Sequence, residues 1–225
     1  MEKGLVSLTL DDGWKSAVEH AFPLLTKYDV PATFYIISKT LNDTEFPLYM
    51  NSGDLNLLAS HGHEIGIHTR SHLHLPELPE TEAWTEIVEG REDLRILGFD
   101  SDTFAYPFGE WTPRIVKLVR EAGFLAARSI VDGFNNETTN PLLLRCKHVV
   151  EDTLESDIRE WIDEAVRKNV WLILMFHQIE ERRVLEEKKW IYGTTPHVLE
   201  STLNYIQKSR IEPLTVREGM ERLIR

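Results

Sequence analysis

The segment Leu5-Val6-Ser7-Leu8-Thr9-Leu10 runs directly into Asp11-Asp12-Gly13. The first six residues are mostly apolar, which predicts a buried strand, and Asp and Gly after them are typical of the turn that ends one. Similar short apolar runs recur along the chain between longer amphipathic stretches. This alternation predicts an α/β fold with a mainly parallel sheet or barrel.

The predicted elements follow from this alternation. Strands are expected at residues 5–10, 32–37, 64–67, 103–106, 125–127, 147–150 and 171–176. Helices are expected at residues 16–27, 81–97, 113–122, 154–168 and 196–209. Because no repeat, low-complexity tract or linker divides the chain, residues 1–225 are predicted to form a single domain.

Composition excludes several classes of function. The chain of 225 residues has a net charge of −12, which works against binding nucleic-acid phosphates or an anionic bilayer. No apolar stretch approaches the length needed to span a membrane. Cys146 is the single cysteine, so a disulfide within the chain and a Cys-based zinc cluster are both excluded. A metal, if bound, must be held by His, Asp or Glu.

The N-terminus lacks the pattern of a secretory signal, since Met1-Glu2-Lys3-Gly4 leads straight into the first predicted strand. A cytoplasmic location is therefore the default expectation. A secreted chain from which a leader has been removed would look the same. The sequence does not predict an oligomeric state.

Candidate site residues follow four of the predicted strands. Asp11-Asp12-Gly13 follows the first, His68 the third, Pro107-Phe108-Gly109 the fourth and His177 the last. In parallel α/β architectures the carboxyl ends of the strands form the active-site face. We therefore expect these four segments to converge.

Each of these segments has a chemical and a structural interpretation. The spacing of His68 and His72 suits ligation of one metal ion, commonly zinc, but two surface histidines would share it. Adjacent Asp11 and Asp12 could act as base and metal ligand, or simply form a turn. His177 is a natural general acid for a leaving amine, or a structural residue after a buried strand.

Taken together, the motifs resemble those of one family. They are Thr9-Leu10-Asp11-Asp12-Gly13, Gly62-His63-Glu64-Ile65-Gly66 leading into His68-Thr69-Arg70-Ser71-His72, Ala105-Tyr106-Pro107-Phe108-Gly109, and Leu174-Met175-Phe176-His177. In this order they are similar to the motifs of the polysaccharide deacetylase family, the NodB-homology domain of carbohydrate esterases. Pro31-Ala32-Thr33-Phe34 also resembles that family's second strand.

The resemblance implies a deformed, incomplete (β/α) barrel of about seven parallel strands with a divalent metal, usually zinc, although cobalt, nickel, iron or manganese would also fit. It implies Asp12, His68 and His72 as metal ligands. Asp11 would be the base that deprotonates the attacking water, and His177 the acid that protonates the amine. Pro107 and Phe108 would form the oxyanion and substrate-binding loop, with the Phe108 N–H as donor.

Two departures from the family pattern concern the groups around the catalytic residues. Ala105 stands where the family has an arginine that holds the base, and the family's Asp-Trp element beside the acid histidine has no clear counterpart. Arg128, Asp132 and Arg145 are candidates to replace these groups. They are equally compatible with solvated loop charges.

Other residues near the motifs have weaker expectations. Trp14 and Trp111 adjoin the first and third motifs, where they could wall a cleft and stack on a sugar ring, or pack in the core. His74 is expected to be solvated or to lie behind the ligands. The mixed charges at 180–189 predict a solvated helix or loop that could act as a lid.

The expected function is metal-dependent removal of N-acetyl, or less readily O-acetyl, groups from a glycan that contains N-acetylhexosamine or from a smaller saccharide. One alternative keeps the scaffold but hydrolyses a non-sugar amide such as a cyclic imide or ureide. Another is a catalytically silent glycan-binding domain, in which Asp11 and His177 would have no role.

Overall fold

Seven parallel strands form a closed ring in the computed structural model, which describes residues 3–41 and 48–223. The strands are β1 (Leu5–Leu10), β2 (Ala32–Ile36), β3 (Glu64–Ile67), β4 (Thr103–Ala105), β5 (Ala126–Asp132), β6 (Leu144–His148) and β7 (Trp171–Phe176). One edge of β1 pairs with β7 along its whole length, and the other edge pairs with β2. The prediction of a barrel of about seven parallel strands is confirmed.

Eight α-helices surround or close the ring within the described residues. They are α1 (Phe22–Tyr28), α2 (Ser52–Ser60), α3 (Glu80–Ile96), α4 (Pro113–Glu121), α5 (Glu155–Lys168), α6 (Arg182–Lys188), α7 (Pro196–Lys208) and α8 (Val216–Leu223). The two-residue strand β8 (Glu212–Pro213) pairs with the start of β1. None of the helices in these ranges combines the length and apolarity that a membrane span requires.

Some element boundaries differ from the prediction. The helix expected at 16–27 is a π-helical turn at Ala17–Ala21 followed by α1. The break lies at Pro23, which has no N–H to donate to the preceding turn. Helices α2 and α8, each of nine residues or fewer, were not predicted, whereas α6 lies in the charged run where a helix or loop was expected.

Alternation of side chains along the strands separates the barrel interior from its outer layer. Trp171, Ile173 and Met175 of β7 pack with Leu144 and Cys146 of β6 in one buried cluster. The other β7 residues pack in a separate cluster with residues of the surrounding helices. Every second side chain of β1, β5, β6 and β7 therefore faces the barrel interior. The last of these interior positions in each strand lies at the carboxyl end of the barrel.

Helix α8 covers the opposite end of the barrel. Its Val216 and Met220 belong to the interior cluster with Trp171. Val216 N–H donates to Thr33 Oγ1 at 2.9 Å, and Arg217 N–H donates to Glu64 at 3.0 Å. Thr33 and Glu64 lie near the beginnings of β2 and β3. Access to the interior is therefore from the carboxyl end, where the motif residues lie.

Candidate active site

Asp11 and Asp12 follow β1 and point in different directions. Asp11 continues the interior row of β1 and is buried. Asp12 has a φ of 74° and Gly13 a φ of 78°, so the chain turns in the left-handed region directly after Asp11. This turn presents the Asp12 carboxylate to the loop after β3. Trp14 Nε1 donates to Asp12 Oδ2 at 2.9 Å and fixes that carboxylate.

His68 and His72 lie in the loop after β3 and face Asp12. His68 Nδ1 is 2.8 Å from the carbonyl oxygen of Ala105, so Nδ1 carries the proton and Nε2 is left as a lone pair. The Nε2 atoms of His68 and His72 lie 3.4 and 3.5 Å from Asp12 Oδ1. The two imidazoles and one carboxylate oxygen thus converge on a single point.

This group has the donor set of a catalytic metal site. One ligand atom from each of the three residues lies within 4.8 Å of the others. Asp12 Oδ1 is buried and has no hydrogen-bond partner among the described residues, which is costly unless a cation neutralises it. Three ligands with an open position are typical of catalytic zinc. The residues present therefore fit a divalent metal.

The electrostatics of the ligands agree with this fit. Burial opposes ionisation of Asp12, but the facing His68 and the other nearby imidazoles outweigh it and hold the pKa of Asp12 well below its usual range. Burial is the main cause that lowers the pKa of His72 to about 4. Asp12 is therefore an anion and His72 neutral at pH 7, the forms in which both bind metals.

Asp11 is held by Arg128, which reaches it across the barrel. Arg128 lies on the interior row of β5, and its Nη2 donates to Asp11 Oδ2 in an ion pair with side chains 1% and 3% exposed. Arg128 Nη1 also contacts Met175 Sδ at 2.8 Å. Asp11 Oδ1 has no hydrogen-bond partner in residues 3–41 and 48–223, so this oxygen can accept a hydrogen bond from a ligand.

The other two charged candidates lie elsewhere. Asp132 is 77% exposed and pairs with Lys147 at 2.7 Å. Arg145 donates to the backbone oxygen of Asp132 at 3.2 Å. No side-chain contact of either with Asp11 or His177 is found in the described chain, and both are exposed charges, although they lie in β5 and β6 and not in loops.

His177 follows β7 on the interior row and lies beside His148. Its Nδ1 is 3.2 Å from His148 Nε2. The Tyr192 ring is stacked on His148, with centroids 5.5 Å apart and an interplanar angle of 10°. Burial lowers the pKa of His177, while the carboxylates of Asp11 and Asp12 oppose that shift. His148 and Tyr192 were not predicted as site residues.

The loop after β4 forms another side of the site. Pro107 is buried and Phe108 has a φ of 56°. The hydrogen bonds of this turn run from Gly109 N to Tyr106 O and from Glu110 N to Pro107 O, so they leave out the Phe108 N–H. The loop can therefore present that N–H to a ligand.

The Phe108 ring lies between two histidines. Its centroid is 4.5 Å from that of His72 and 3.8 Å from that of His74, to which it is stacked at 6°. His74 Nδ1 is in turn 2.9 Å from Glu110 Oε2. His74, which was expected to be solvated or to lie behind the ligands, has a side chain that is 46% exposed and supports the Phe108 loop.

These residues surround a cavity of about 330 Å³ at the carboxyl end of the barrel. Its lining residues are Asp11, Asp12, Trp14, His68, His72, Tyr106, Phe108, Gly109, Arg128, Ile130, His148, Met175, His177, Gln178 and Tyr192. Trp14 of this lining stacks on Tyr49 at 4.7 Å and lies 5.3 Å from Trp190, and these three rings form an aromatic wall beside the cavity. Trp111 is not among the lining residues, and its side chain is exposed, so it fits neither the cleft wall nor the core packing that the sequence left open.

The charged run at 180–189 contains α6, which begins at Arg182 and carries a surface ion pair between Arg183 and Glu187. The expectation of a solvated helix is thus met. The segment after it reaches the site, because Trp190 lies beside Trp14 and Tyr192 packs on both His148 and His177.

Backbone strain is concentrated around this cavity. Among non-glycine residues of the described chain, Asp12, Thr69, His72 and Phe108 have positive φ and all lie in its loops. The remaining three such residues, Asp29, Asn169 and Lys189, end helices, where left-handed residues are common. Strain of this kind in the loops persists where the surrounding structure enforces a functional geometry.

A family model described as polysaccharide deacetylase matches residues 1–127, more than half of the chain. The chain belongs to the polysaccharide deacetylase family. The matched region includes Asp11, Asp12, His68, His72 and Phe108, and ends one residue before Arg128. His148 and His177 of this polysaccharide deacetylase family member also lie beyond it.

Curated relatives of this family member are bacterial. It is 26% identical over 120 residues to YxkH of Bacillus subtilis, whose name assigns it to the polysaccharide deacetylases; the match covers 53% of this chain and 42% of YxkH. It is 26% identical to the peptidoglycan-N-acetylglucosamine deacetylase of Bacillus cereus, with 53% of this chain and 54% of that protein covered. The matches thus span about half the length of these relatives.

Solved structures share the fold over nearly the whole chain. The peptidoglycan deacetylase PdaC from Bacillus subtilis superposes with a TM-score of 0.60 at 16% identity, covering 98% of this chain and 91% of PdaC. The Xyl-CE4 domain of a multidomain xylanase from the hindgut metagenome of Trinervitermes trinervoides gives a TM-score of 0.65 at 15% identity, with the same coverage.

Proposed function

We propose that residues 1–225 form one catalytic domain, a metal-dependent hydrolase that removes N-acetyl groups from a saccharide containing N-acetylhexosamine. One observation carries the proposal. In the part of the chain that the structure describes, Asp11 Oδ1 and Asp12 Oδ1 are both buried without a hydrogen-bond partner in the same cavity, one beside Arg128 and the other between two imidazole nitrogens. Adjacent carboxylates in such different surroundings are suited to different roles.

Asp12, His68 and His72 would hold the metal, with zinc the ion that this donor set favours and cobalt, nickel, iron or manganese as alternatives. A divalent cation there supplies a Lewis acid that polarises the acetyl carbonyl and makes water a better nucleophile at neutral pH. Trp14 keeps the second oxygen of Asp12 engaged, so that one oxygen is offered to the ion.

Asp11 would be the general base. Arg128 holds Oδ2, which leaves Oδ1 as the atom that takes a proton from the attacking water. The ion pair also fixes the carboxylate plane, since both side chains are buried in the barrel. Attack on the acetyl carbon would place negative charge on the carbonyl oxygen, toward which the Phe108 N–H can donate.

His177 would be the general acid. As the C–N bond breaks, a proton passes from the ring to the departing amine, which cannot leave easily as an anion. Burial lowers the pKa of His177, which makes its protonated form a stronger acid. The aromatic wall of Trp14, Tyr49 and Trp190 gives an apolar face against which a sugar ring can stack.

The test is acetate release by chelator-treated protein before and after addition of zinc, cobalt, nickel, iron or manganese. The substrates are N-acetylglucosamine oligomers, peptidoglycan fragments and a cyclic imide. We expect saccharide deacetylation that is absent without metal and restored with it. Full activity in metal-free protein, ring opening of the imide alone, or saccharide binding without turnover would overturn the proposal.

A further inference from the structure

His148 and His177 form a pair of imidazoles at the edge of the cavity. His148 is the last residue of β6 and lies on its interior row, two residues after the buried Cys146. This places its Nε2 against His177 Nδ1 at 3.2 Å. The sequence motifs did not account for His148, and no other described side chain hydrogen-bonds to His177 Nδ1.

The surroundings of His148 fix its charge and its orientation. Burial and the neighbouring His177 lower the pKa of His148 to about 4, so the ring is neutral at pH 7. Tyr192 is stacked on one face of the ring and also packs on His177 at 5.7 Å. A neutral His148 held in this way can accept a hydrogen bond through Nε2 while its own proton stays on Nδ1.

We propose that His148 is a positioning residue for His177 in the deacetylation reaction. When His177 is protonated, its Nδ1–H donates to His148 Nε2, and its Nε2–H is directed to the leaving amine. The proton on Nε2 then moves to the amine nitrogen as the C–N bond breaks. The hydrogen bond that His177 Nδ1 donates to His148 is kept throughout. This inference rests on the proposed function, since it gives His177 the role of acid.

The role can be separated from folding and metal binding by the choice of leaving group. A saccharide amide needs a proton on its departing nitrogen, whereas the phenolate of 4-nitrophenyl acetate leaves without one. A residue that acts only through the acid should therefore matter for the amide and not for the ester. The metal-loaded protein is compared with His148→Ala, His148→Gln and His177→Asn on both substrates. Gln is the conservative variant, because its side-chain amide can reach the position of Nε2.

We expect His148→Ala to lower kcat on the N-acetyl saccharide by about 10- to 100-fold, within the effect expected for general acid catalysis, with KM little changed. Ester turnover should stay within about twofold of wild type. His148→Gln should recover a substantial part of the lost kcat, and His177→Asn should show the same split between substrates. Equal loss on both substrates without rescue by Gln, or an unchanged kcat in His148→Ala, would overturn the proposal.

A second measurement does not depend on the substrate. The ring nitrogens of His177, assigned by nitrogen-15 NMR, should report a hydrogen-bonded Nδ1 in the wild type and in His148→Gln but not in His148→Ala. If the wild type released no acetate from any saccharide, the proposed function would fail while this measurement still tested the contact. An Nδ1 signal that is the same in all three proteins would reject the positioning role.

Discussion

Arg128 and Asp11 form a buried ion pair across the barrel although 117 residues separate them in the chain. Arg128 comes from β5 and Asp11 from the end of β1, and neither strand pairs with the other. The guanidinium therefore occupies the barrel interior where an apolar side chain would otherwise pack. An Arg at this position can replace the arginine that the family pattern has at the position of Ala105.

Loss of this ion pair should destabilise the fold. Arg128→Met leaves the Asp11 carboxylate buried and unpaired, so we expect the free energy of unfolding to fall by about 3–5 kcal/mol in urea titrations. The control is Arg183→Met, which removes an exposed ion pair and should cost under about 0.5 kcal/mol. The double variant Asp11→Asn/Arg128→Met should lose much less than the sum of its single variants. Equal losses in the Arg128 and Arg183 variants would contradict the expectation.

The two aspartates should separate metal binding from turnover. Asp12→Asn removes a ligand, so calorimetry should detect no tight zinc binding. Asp11→Asn should bind zinc like the wild type but lower kcat by about 10²- to 10⁴-fold, the usual contribution of a general base. Zinc at 100 times its Kd should raise the stability of wild type and Asp11→Asn by about 2.7 kcal/mol. Retention of tight binding by Asp12→Asn would show that the ligands are different.

Trp14 should contribute to metal affinity through Asp12. Trp14→Phe keeps an aromatic ring but loses the indole N–H that fixes Asp12 Oδ2, so we expect about 10- to 100-fold weaker zinc binding. Trp111→Phe is the matched control, because Trp111 does not line the cavity and has an exposed side chain. Competition with a chelating dye measures both affinities. If both variants bound zinc equally well, the indole contact would be irrelevant to the metal.

His63 should make the fold sensitive to acid. Its Nδ1 accepts a hydrogen bond from Ala32 N–H, and its ring packs edge-on against Phe34. Burial is the main cause that lowers the pKa of His63 from 6.5 to about 4. Between these pH values the unfolded chain binds a proton that the folded chain does not, so stability is lost as the pH falls through this window.

The measurement compares wild type with His63→Asn in urea titrations between pH 7 and 4, with chelator present throughout. The wild type should lose up to about 3 kcal/mol more than the variant over this range. Titration of the metal ligands is common to both proteins and cancels in the difference. Parallel stability curves would show that His63 does not carry this effect.

The sequence predicted those parts of the molecule in which local pattern and burial agree. β1 is found at the predicted bounds because all six of its residues are buried and the Asp-Asp-Gly turn ends it. β5 runs to Asp132, five residues beyond the prediction, because its last residues are exposed and read as a loop. Arg128 was one of three candidates to hold the base, but the sequence could not separate it from Asp132 and Arg145, since only the fold places Asp11 opposite it.

His148 shows the same limit for the candidate site. In the strand predicted at 147–150, His148 would be the second residue, near the start. In the observed β6 it is the last residue and the third on the interior row, which places it at the carboxyl end of the strand. A shift of a few residues in a strand boundary is enough to hide a side chain of the site. Trp111 shows the opposite error. It was offered as a cleft residue because it adjoins a motif, but its side chain does not line the cavity, since adjacency in sequence does not determine which way a side chain faces.

The double pairing of β1 with β2 and β7 has a consequence for folding. The proposed metal ligands come from the loops after β1 and β3, which are close in the chain. His177 follows β7, whose residue Trp171 pairs with Leu5 of β1. Strands that are far apart in the sequence are expected to pair late in folding, because the chain must lose the entropy of closing a long loop before their contacts form. In refolding experiments we therefore expect zinc binding to return before turnover. The return of enzymatic activity should coincide with closure of the ring of strands.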